Sequence, residues 1–348
     1  MIEIEKFNYH LPKELIANQP ASPRSASRLL VYNCQKNSLE NFNFFELGNF
    51  LQQGDLLVLN NSKVIPARLF GKKTSGGKIE ILLLEEKNGL WEVMIGGKIR
   101  LSEKIFFSQS LQAEVVKKDG KNGVLKFNLS GNVFWQIVNK IGKTPIPPYI
   151  KNLELSEREL KSKYQTVFAE NFGSAAAPTA GLHFTSELIG KLKSSGIQFA
   201  TVDLHVGLGT FFPIDENEVK AKKLHSEVYS IPLETTKKIL TTKKSGGRIF
   251  AVGTTVTRSL ESASSEISSE KSFSGKTDIF IQPGDKFRVV DSLITNFHLP
   301  KSSLMMLVAA FIESKTNFDG REKLLEIYKY AINEKYRFYS FGDVMLLI

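Results

Sequence analysis

Cysteine is almost absent from this chain. Cys34 stands alone among 348 residues, which excludes an internal disulfide and any zinc site built on thiolate pairs, and fits a reducing compartment. Long apolar runs are missing as well. The strongest, Leu304 to Ile312, is far short of the ~20 residues that cross a bilayer. The opening Met1-Ile2-Glu3-Ile4-Glu5 has neither the basic region nor the apolar stretch of a secretory leader. No GxxxxGK[ST] loop occurs and no GxGxxG follows a first strand, so neither a Walker site nor a dinucleotide fold is expected. No two histidines have helical HxxxH spacing, so no metal is expected. Together these absences lead to the expectation of a cytoplasmic protein with no membrane attachment.

Acidic residues are also in the minority. Lys and Arg number 46 against 36 Asp and Glu, a formal charge of +10, which favours a polyanionic partner and nucleic acid first among them. The length exceeds a usual single domain of roughly 100–200 residues, so two domains are expected. Apolar residues at 42% are enough for a sizeable core.

Texture divides the chain. Leu11 to Ile16 reads as a helix start, Leu29–Tyr32 and Leu56–Leu59 as buried strands. From Val64 to Lys143 six candidate strands follow one another: Ile65–Gly71, Ile79–Glu86, Trp91–Ile95, Ile105–Phe107, Gln112–Lys117 and Val124–Leu129. Turn residues such as Asn88-Gly89 and Asn122-Gly123 separate them, and one helix, Val133 to Ile141, follows. This reads as a small closed β-barrel, because closure removes exposed edges. After the stiff Thr144–Tyr149 stretch an α/β rhythm resumes. Helices are expected at Ser186–Ser194, at Glu216–Lys223 behind an Asp215/Glu218 capping box, and at Glu234–Lys243. Two more are expected after Pro300 and at Arg321–Lys335. Strands are expected at Phe199–His205, Val228–Ile231, Arg248–Val252, Thr277–Gln282, Phe287–Val290 and Val344–Ile348. Seven of the fourteen residues from Ser262 to Gly275 are serine, which suggests a mobile loop. The expected fold is therefore α/β: a discontinuous domain of residues 1–63 and 144–348, carrying an all-β barrel of residues 64–143.

Four of five histidines fall in the second half, beside small or polar residues. Gly173 to Phe184 holds only small residues until Leu182-His183-Phe184, and Thr185 then caps a helix, so backbone and imidazole can come close to a ligand. Asp203 and His205 are two apart on a strand, hence on one face; His225 and Glu227 repeat the pairing. Such pairs suit acid–base work near neutral pH. Gly253-Thr254-Thr255, between a strand and a helix, offers N–H groups and hydroxyls to an anion or ribose. Arg24 and Arg28 bracket Ser25-Ala26-Ser27, a spacing that can hold a phosphate or carboxylate or simply be solvated.

Several longer stretches carry a family likeness: Asn60-Asn61-Ser62-Lys63-Val64-Ile65-Pro66-Ala67-Arg68, Gly173–Phe184, Asp203–Phe211, Val252–Arg258, Thr295-Asn296-Phe297-His298-Leu299-Pro300 and Tyr336–Ile348. In these the chain resembles the S-adenosylmethionine:tRNA ribosyltransferase-isomerases of queuosine biosynthesis. It departs from the family pattern in Ser25, where an acidic residue is usual, in Lys63, where arginine is frequent, and in Asp285, where an aromatic often stands. The resemblance implies an α/β domain with an inserted barrel. It implies that the ribosyl part of S-adenosylmethionine passes to 7-aminomethyl-7-deazaguanine at the tRNA wobble position and becomes epoxyqueuosine, with release of adenine and methionine. S-Adenosylmethionine is then a consumed co-substrate, no dissociable cofactor is needed, and the protein is expected to be a monomer with no obligate protein partner.

Within that chemistry the sulfonium acidifies the neighbouring ribose carbon, a base removes a proton, and an acid helps adenine leave. The catalytic expectation is His183, His205, Asp203 and Glu227. Ser174, Thr179, Gly181, Phe184, Gly207, Gly209 and Thr210 are expected to bind substrate, as are Gly253, Thr254, Thr255, Arg258, Asn296 and His298. Phe184, Phe211 and Phe212 offer cation–π contact to the sulfonium. Arg24, Arg28, Lys63, Arg68 and Lys301 are the candidates for tRNA phosphates.

Overall fold

A computed structural model of the protein describes residues 4–147, 149–150, 155–207, 219 and 221–348. In chain order the strands of its main sheet are β1 (Arg28–Asn33), β2 (Ser38–Asn43), β3 (Leu56–Asn60), β12 (Gln198–Leu204), β13 (Lys223–Ile231), β14 (Ile249–Val252), β15 (Phe273–Ile279), β16 (Ser292–Asn296) and β17 (Val344–Leu347). They lie in the order β15-β13-β12-β3-β14-β16-β17-β1-β2. Strands β12, β3, β14 and β16 run parallel. β17 opposes β16 and runs with β1. The outer strands β2, β13 and β15 are antiparallel to their inner neighbours.

Period-two alternation builds a layer on each face. Leu56 and Val58 of β3, with Ala251 of β14, join the core under the Ser303–Lys315 and Gly320–Asn333 helices. Leu57, Leu59 and Phe250 turn to the other face, onto Leu188 and Leu192 of the Ser186–Ser194 helix. The central strands are buried on both sides, which is why they read as unbroken apolar runs.

Between β4 (Ser62–Val64) and residue 143 the chain forms a closed barrel. Its strands are β5 (Arg68–Lys73), β6 (Lys78–Lys87), β7 (Leu90–Gly96), β8 (Lys104–Phe106), β9 (Gln112–Asp119) and β10 (Asn122–Phe127). Phe134 and Val138 of the Gly131–Ile141 helix fill its core, and Phe134 stacks on Trp91 at 5.5 Å. At the neck Arg68 and Lys143 exchange backbone hydrogen bonds of 3.2 and 2.8 Å. A second tie is β4 pairing in parallel with β11 (Asn171–Ser174).

Some local expectations change. Leu11–Ile16 forms only a single 3₁₀ turn, Lys13–Leu15. Phe287–Val290 is not a strand, because the Glu261 carboxylate takes the N–H groups of Arg288, Val289 and Val290 at 2.9–3.0 Å. The strand starts one turn later, at Ser292. In the serine-rich segment Ala263 and Ile267 are buried anchors, serine hydroxyls donate to nearby carbonyls, and β15 begins at Phe273. Most of the helix expected over 216–223, with its capping pair, lies outside the described residues, and Lys223 already opens β13.

Candidate active site

The parallel strands all end at one edge of the sheet. β3 stops at Asn60, β12 at Leu204, β14 at Val252 and β16 at Asn296, while β1 and β17, running oppositely, begin there at Arg28 and Val344. Carboxyl ends of parallel strands are where open α/β sheets bind ligands. Asn60 ties two of them: its amide donates to Leu204 O at 2.9 Å and accepts from Ser62 N and Leu204 N. The small-residue stretch Ser174–Ala180 crosses this edge. Ser174 holds it, accepting from Val206 N at 3.0 Å and donating to Ala176 O at 2.7 Å. Ser174 is thus buried framework, where substrate contact was expected.

Two hollows open on the edge, and Val206 lines both. The larger, about 700 Å³, lies between sheet and barrel. The sheet side presents His205, Gly207, His225 and Glu227, and the barrel side presents Glu85, Trp91, Glu92 and Trp135. Gly173, at φ +146°, packs on the His205 ring so tightly that a Cβ would sit 2.4 Å from Cε1, so only glycine fits. His205 Nε2 lies 3.5 Å from Asp203 Oδ1. His225 Nε2 lies 3.4 Å from Glu227 Oε1 without hydrogen-bond alignment. Both same-face pairs inferred from spacing are therefore in place. Glu227 is buried and also accepts from Gly207 N at 3.0 Å and from Arg258. Burial alone would raise its pKa, but Arg258, His225 and the Gly207 amide outweigh that and hold the carboxyl below its ordinary value. Arg258, expected on ribose or carboxylate, is instead a buried partner of Glu227. Among the described residues no group of three or more His, Cys, Asp or Glu is placed to hold a metal.

The smaller hollow, about 70 Å³, is bounded by Ala176–Ala180, Gly253–Thr255 and Asn296–His298. Gly253, at φ +99°, turns the chain from β14 into the Thr254–Ser262 helix. Thr179, Gly253, Thr254, Thr255, Asn296 and His298 all line this hollow. His298 donates to or accepts from Thr295 Oγ1 at 2.8 Å, and burial pushes its pKa down to about 3.

Three expected site residues stand behind these walls. His183 is buried, with Ser27 Oγ 2.7 Å from Nδ1 and Asn296 Nδ2 3.2 Å from Nε2. Burial pushes its pKa down to about 4, the nearby Asp343 opposing and Arg337 and Arg24 adding to the fall. It lines neither hollow, and stands behind Asn296. Phe184 packs between Phe44 and Phe168 in the core and offers no face to a sulfonium. Gly181 backs onto Thr166, not onto a hollow. Gly209, Thr210, Phe211 and Phe212 lie outside the described residues.

Residues 4–347 match the family model described as queuosine biosynthesis protein. The chain belongs to that family. It is 46% identical to the S-adenosylmethionine:tRNA ribosyltransferase-isomerases of Thermosipho melanesiensis, over 99% of this chain and 100% of the relative, and of Thermotoga maritima, over all of both. The crystal structure of S-adenosylmethionine tRNA ribosyltransferase from Thermotoga maritima matches with TM-score 0.56 and 37% identity, over 99% of this chain and 100% of that one. The protein is thus a member of a family of tRNA-modifying enzymes. No described helix is long and apolar enough to cross a membrane.

The candidates for tRNA phosphates each have partners within the fold of this family member. Arg24 spends its guanidinium on the carbonyls of Gln165, Ser162 and Lys163 at 2.6–3.0 Å, closing the end of the Glu157–Lys163 helix. Arg28 lies 3.8 Å over the Tyr336 ring and donates to Glu334 O. Arg68 meets Glu80 and Ile146 O, and Lys301 pairs with Glu5. Lys63 sits 4.5 Å over the half-exposed Phe172 ring. Asp343 is a functional candidate that residue type and spacing do not reveal: buried, it takes Arg28 N, Arg337 N and the Arg337 guanidinium. Its only signal in the sequence is its place inside the Tyr336–Ile348 stretch.

Proposed function

We propose that this protein transfers and isomerises the ribosyl moiety of S-adenosylmethionine onto 7-aminomethyl-7-deazaguanine at the tRNA wobble position. The products are epoxyqueuosine-tRNA, adenine and methionine. S-Adenosylmethionine is consumed, no dissociable cofactor takes part, and the enzyme acts as a cytoplasmic monomer with no obligate protein partner. The observation that carries the reading is the 700 Å³ cavity between barrel and sheet, with two imidazoles, each beside a carboxylate, on one wall. His205, open to the cavity and next to Asp203, takes the acid–base role; an imidazole suits proton transfer near neutral pH. Trp91 and Trp135 face it with aromatic surface, a wall suited to a sulfonium, while Glu85 and Glu92 beside them are ion-paired with Lys87 and Lys276.

The test is to mix the protein with S-adenosylmethionine and tRNA bearing the aminomethyl-deazaguanine, and to follow adenine release and nucleoside mass. Adenine appearing in step with an epoxyqueuosine nucleoside supports the reading. Unmodified tRNA under conditions where the protein binds it contradicts it.

A further inference from the structure

The barrel carries most of this protein's excess positive charge. Residues 64–143 hold fourteen Lys and Arg against seven Asp and Glu, so under a quarter of the chain supplies seven of its ten net positive charges. On the barrel's outer face, towards the β5–β6 turn and away from the neck at Arg68, a groove of about 700 Å³ opens. It shares no lining residue with either hollow at the sheet edge.

Alternation and strand register assemble the lining. Phe70 and Lys72 point outward from β5; Lys78 on β6 and Phe106 on β8 stand opposite Lys72 on either side. Phe70 is 53% exposed and Phe106 41%, two large rings left in water on one groove. Among the described residues Lys72 and Lys78 make no hydrogen bond or ion pair through their ammonium groups. Like charges directly opposite one another destabilise a sheet, a penalty that an anion between them removes. The carboxylate on the lining, Glu80, is already occupied by Arg68 at 3.3 Å. Arg24, Arg28, Arg68 and Lys301 are committed within the fold, whereas these lysines are free.

The chemistry of the lining selects the partner. Protein–protein interfaces are depleted in lysine, whereas rings set among lysines suit a single-stranded nucleic acid. A duplex keeps its bases in the stack, so only unpaired bases can lie on Phe70 and Phe106. Position agrees. Gly96 of this groove and Met94 of the cavity between sheet and barrel are two apart on β7, on one face and about 7 Å from each other. One nucleic-acid loop can reach both.

We propose that the outer groove of the barrel binds an unpaired base of the tRNA loop whose reacting base enters the cavity. Phe70 and Phe106 stack on that base, and Lys72 and Lys78 hold the phosphate beside it. The proposal rests on the ribosyl-transfer reading, which supplies the tRNA, and adds a docking surface outside the catalytic cavity.

The experiment measures binding of the full-length protein to a hairpin carrying the tRNA's anticodon loop, by fluorescence anisotropy across a salt series. A duplex of the stem sequence without the loop is the second probe. Phe70→Ala/Phe106→Ala is expected to weaken hairpin binding about tenfold or more, with the salt slope and duplex binding unchanged. Phe70→Tyr/Phe106→Tyr, which keeps both rings, retains wild-type affinity. Lys72→Gln/Lys78→Gln lowers the slope of log affinity against log salt by about 1 to 1.5. Wild-type affinity and slope in both the alanine and the glutamine variants overturns the proposal and leaves the rings to a protein partner. An equal loss on hairpin and duplex in the alanine variant, or no hairpin binding by the wild type, overturns it as well. Failure of the groove leaves adenine release by the wild type intact, whereas failure of the ribosyl-transfer reading abolishes it.

Discussion

The two edges of the main sheet differ in how many buried polar atoms they leave unpaired. At the amino end of β3, Asp55 is buried and saturated: it accepts from Gln52 N and Arg248 N, and from the Arg248 guanidinium at 2.6 and 3.3 Å. At the carboxyl edge Asn61 Oδ1, Thr255 Oγ1, Asn296 Oδ1 and two Arg258 nitrogens are buried without hydrogen-bond partners. A buried polar atom without a partner costs free energy, so the carboxyl edge is where the fold gives up stability. At the amino edge the fold satisfies Asp55 from within; at the carboxyl edge it leaves more buried polar atoms unpaired.

The largest expected effect tests whether the carboxyl edge also carries structure. Arg258→Met strips the buried Glu227 of its counter-charge and should cost about 3–5 kcal/mol, read as a fall in the denaturant midpoint. Adding Glu227→Gln should restore part of that loss, as expected for a coupled pair. Next comes the amino edge. Asp55→Ala should lower stability by about 1–3 kcal/mol while the folded fraction keeps its turnover per molecule, since Asp55 is remote from both hollows. A turnover defect in that variant would erase the distinction between the edges.

A pH titration sharpens it further. His183 and His298 have pKa values pushed down to about 4 and 3, so below about 6.5 the unfolded chain binds protons that the folded chain refuses. Stability contributed by the neutral imidazoles is complete above pH 6.5, and falls progressively as pH drops towards 4 and then 3. Midpoints measured across that window should decline, and His183→Gln should flatten the decline. The smallest effect belongs to the exposed bridge from Lys276 to Glu85 on the barrel. Lys276→Ala should change stability by less than about 1 kcal/mol.

The fold is legible in the sequence where one interaction dominates. Barrel strands separated by Asn-Gly turns and strands buried on both faces announce themselves locally, and the structure places them within a few residues of expectation. Phe287–Val290 imitates a strand because a carboxylate thirty residues away takes its amides, a tertiary contact that no local pattern encodes. Ser38–Asn43 gives no strand signal because as an edge strand it lacks an apolar face. In the site, Asp203/His205 and His225/Glu227 are legible because two-residue spacing fixes a shared face. His183 misleads for the opposite reason: residue type and small neighbours suggest exposure to a ligand, while packing against Phe44 and bonds to Ser27 and Asn296 bury it. Arg24 is ambiguous in the same way, since a guanidinium that caps a helix and one that holds a phosphate have the same sequence signature.

The most direct measurement is single-turnover adenine release with modified tRNA and saturating S-adenosylmethionine, comparing wild type with His205→Gln. The account predicts a loss of about 100-fold or more in the variant, with tRNA binding and melting temperature unchanged. Wild-type release by His205→Gln would contradict the assignment of the chemistry to the cavity between barrel and sheet.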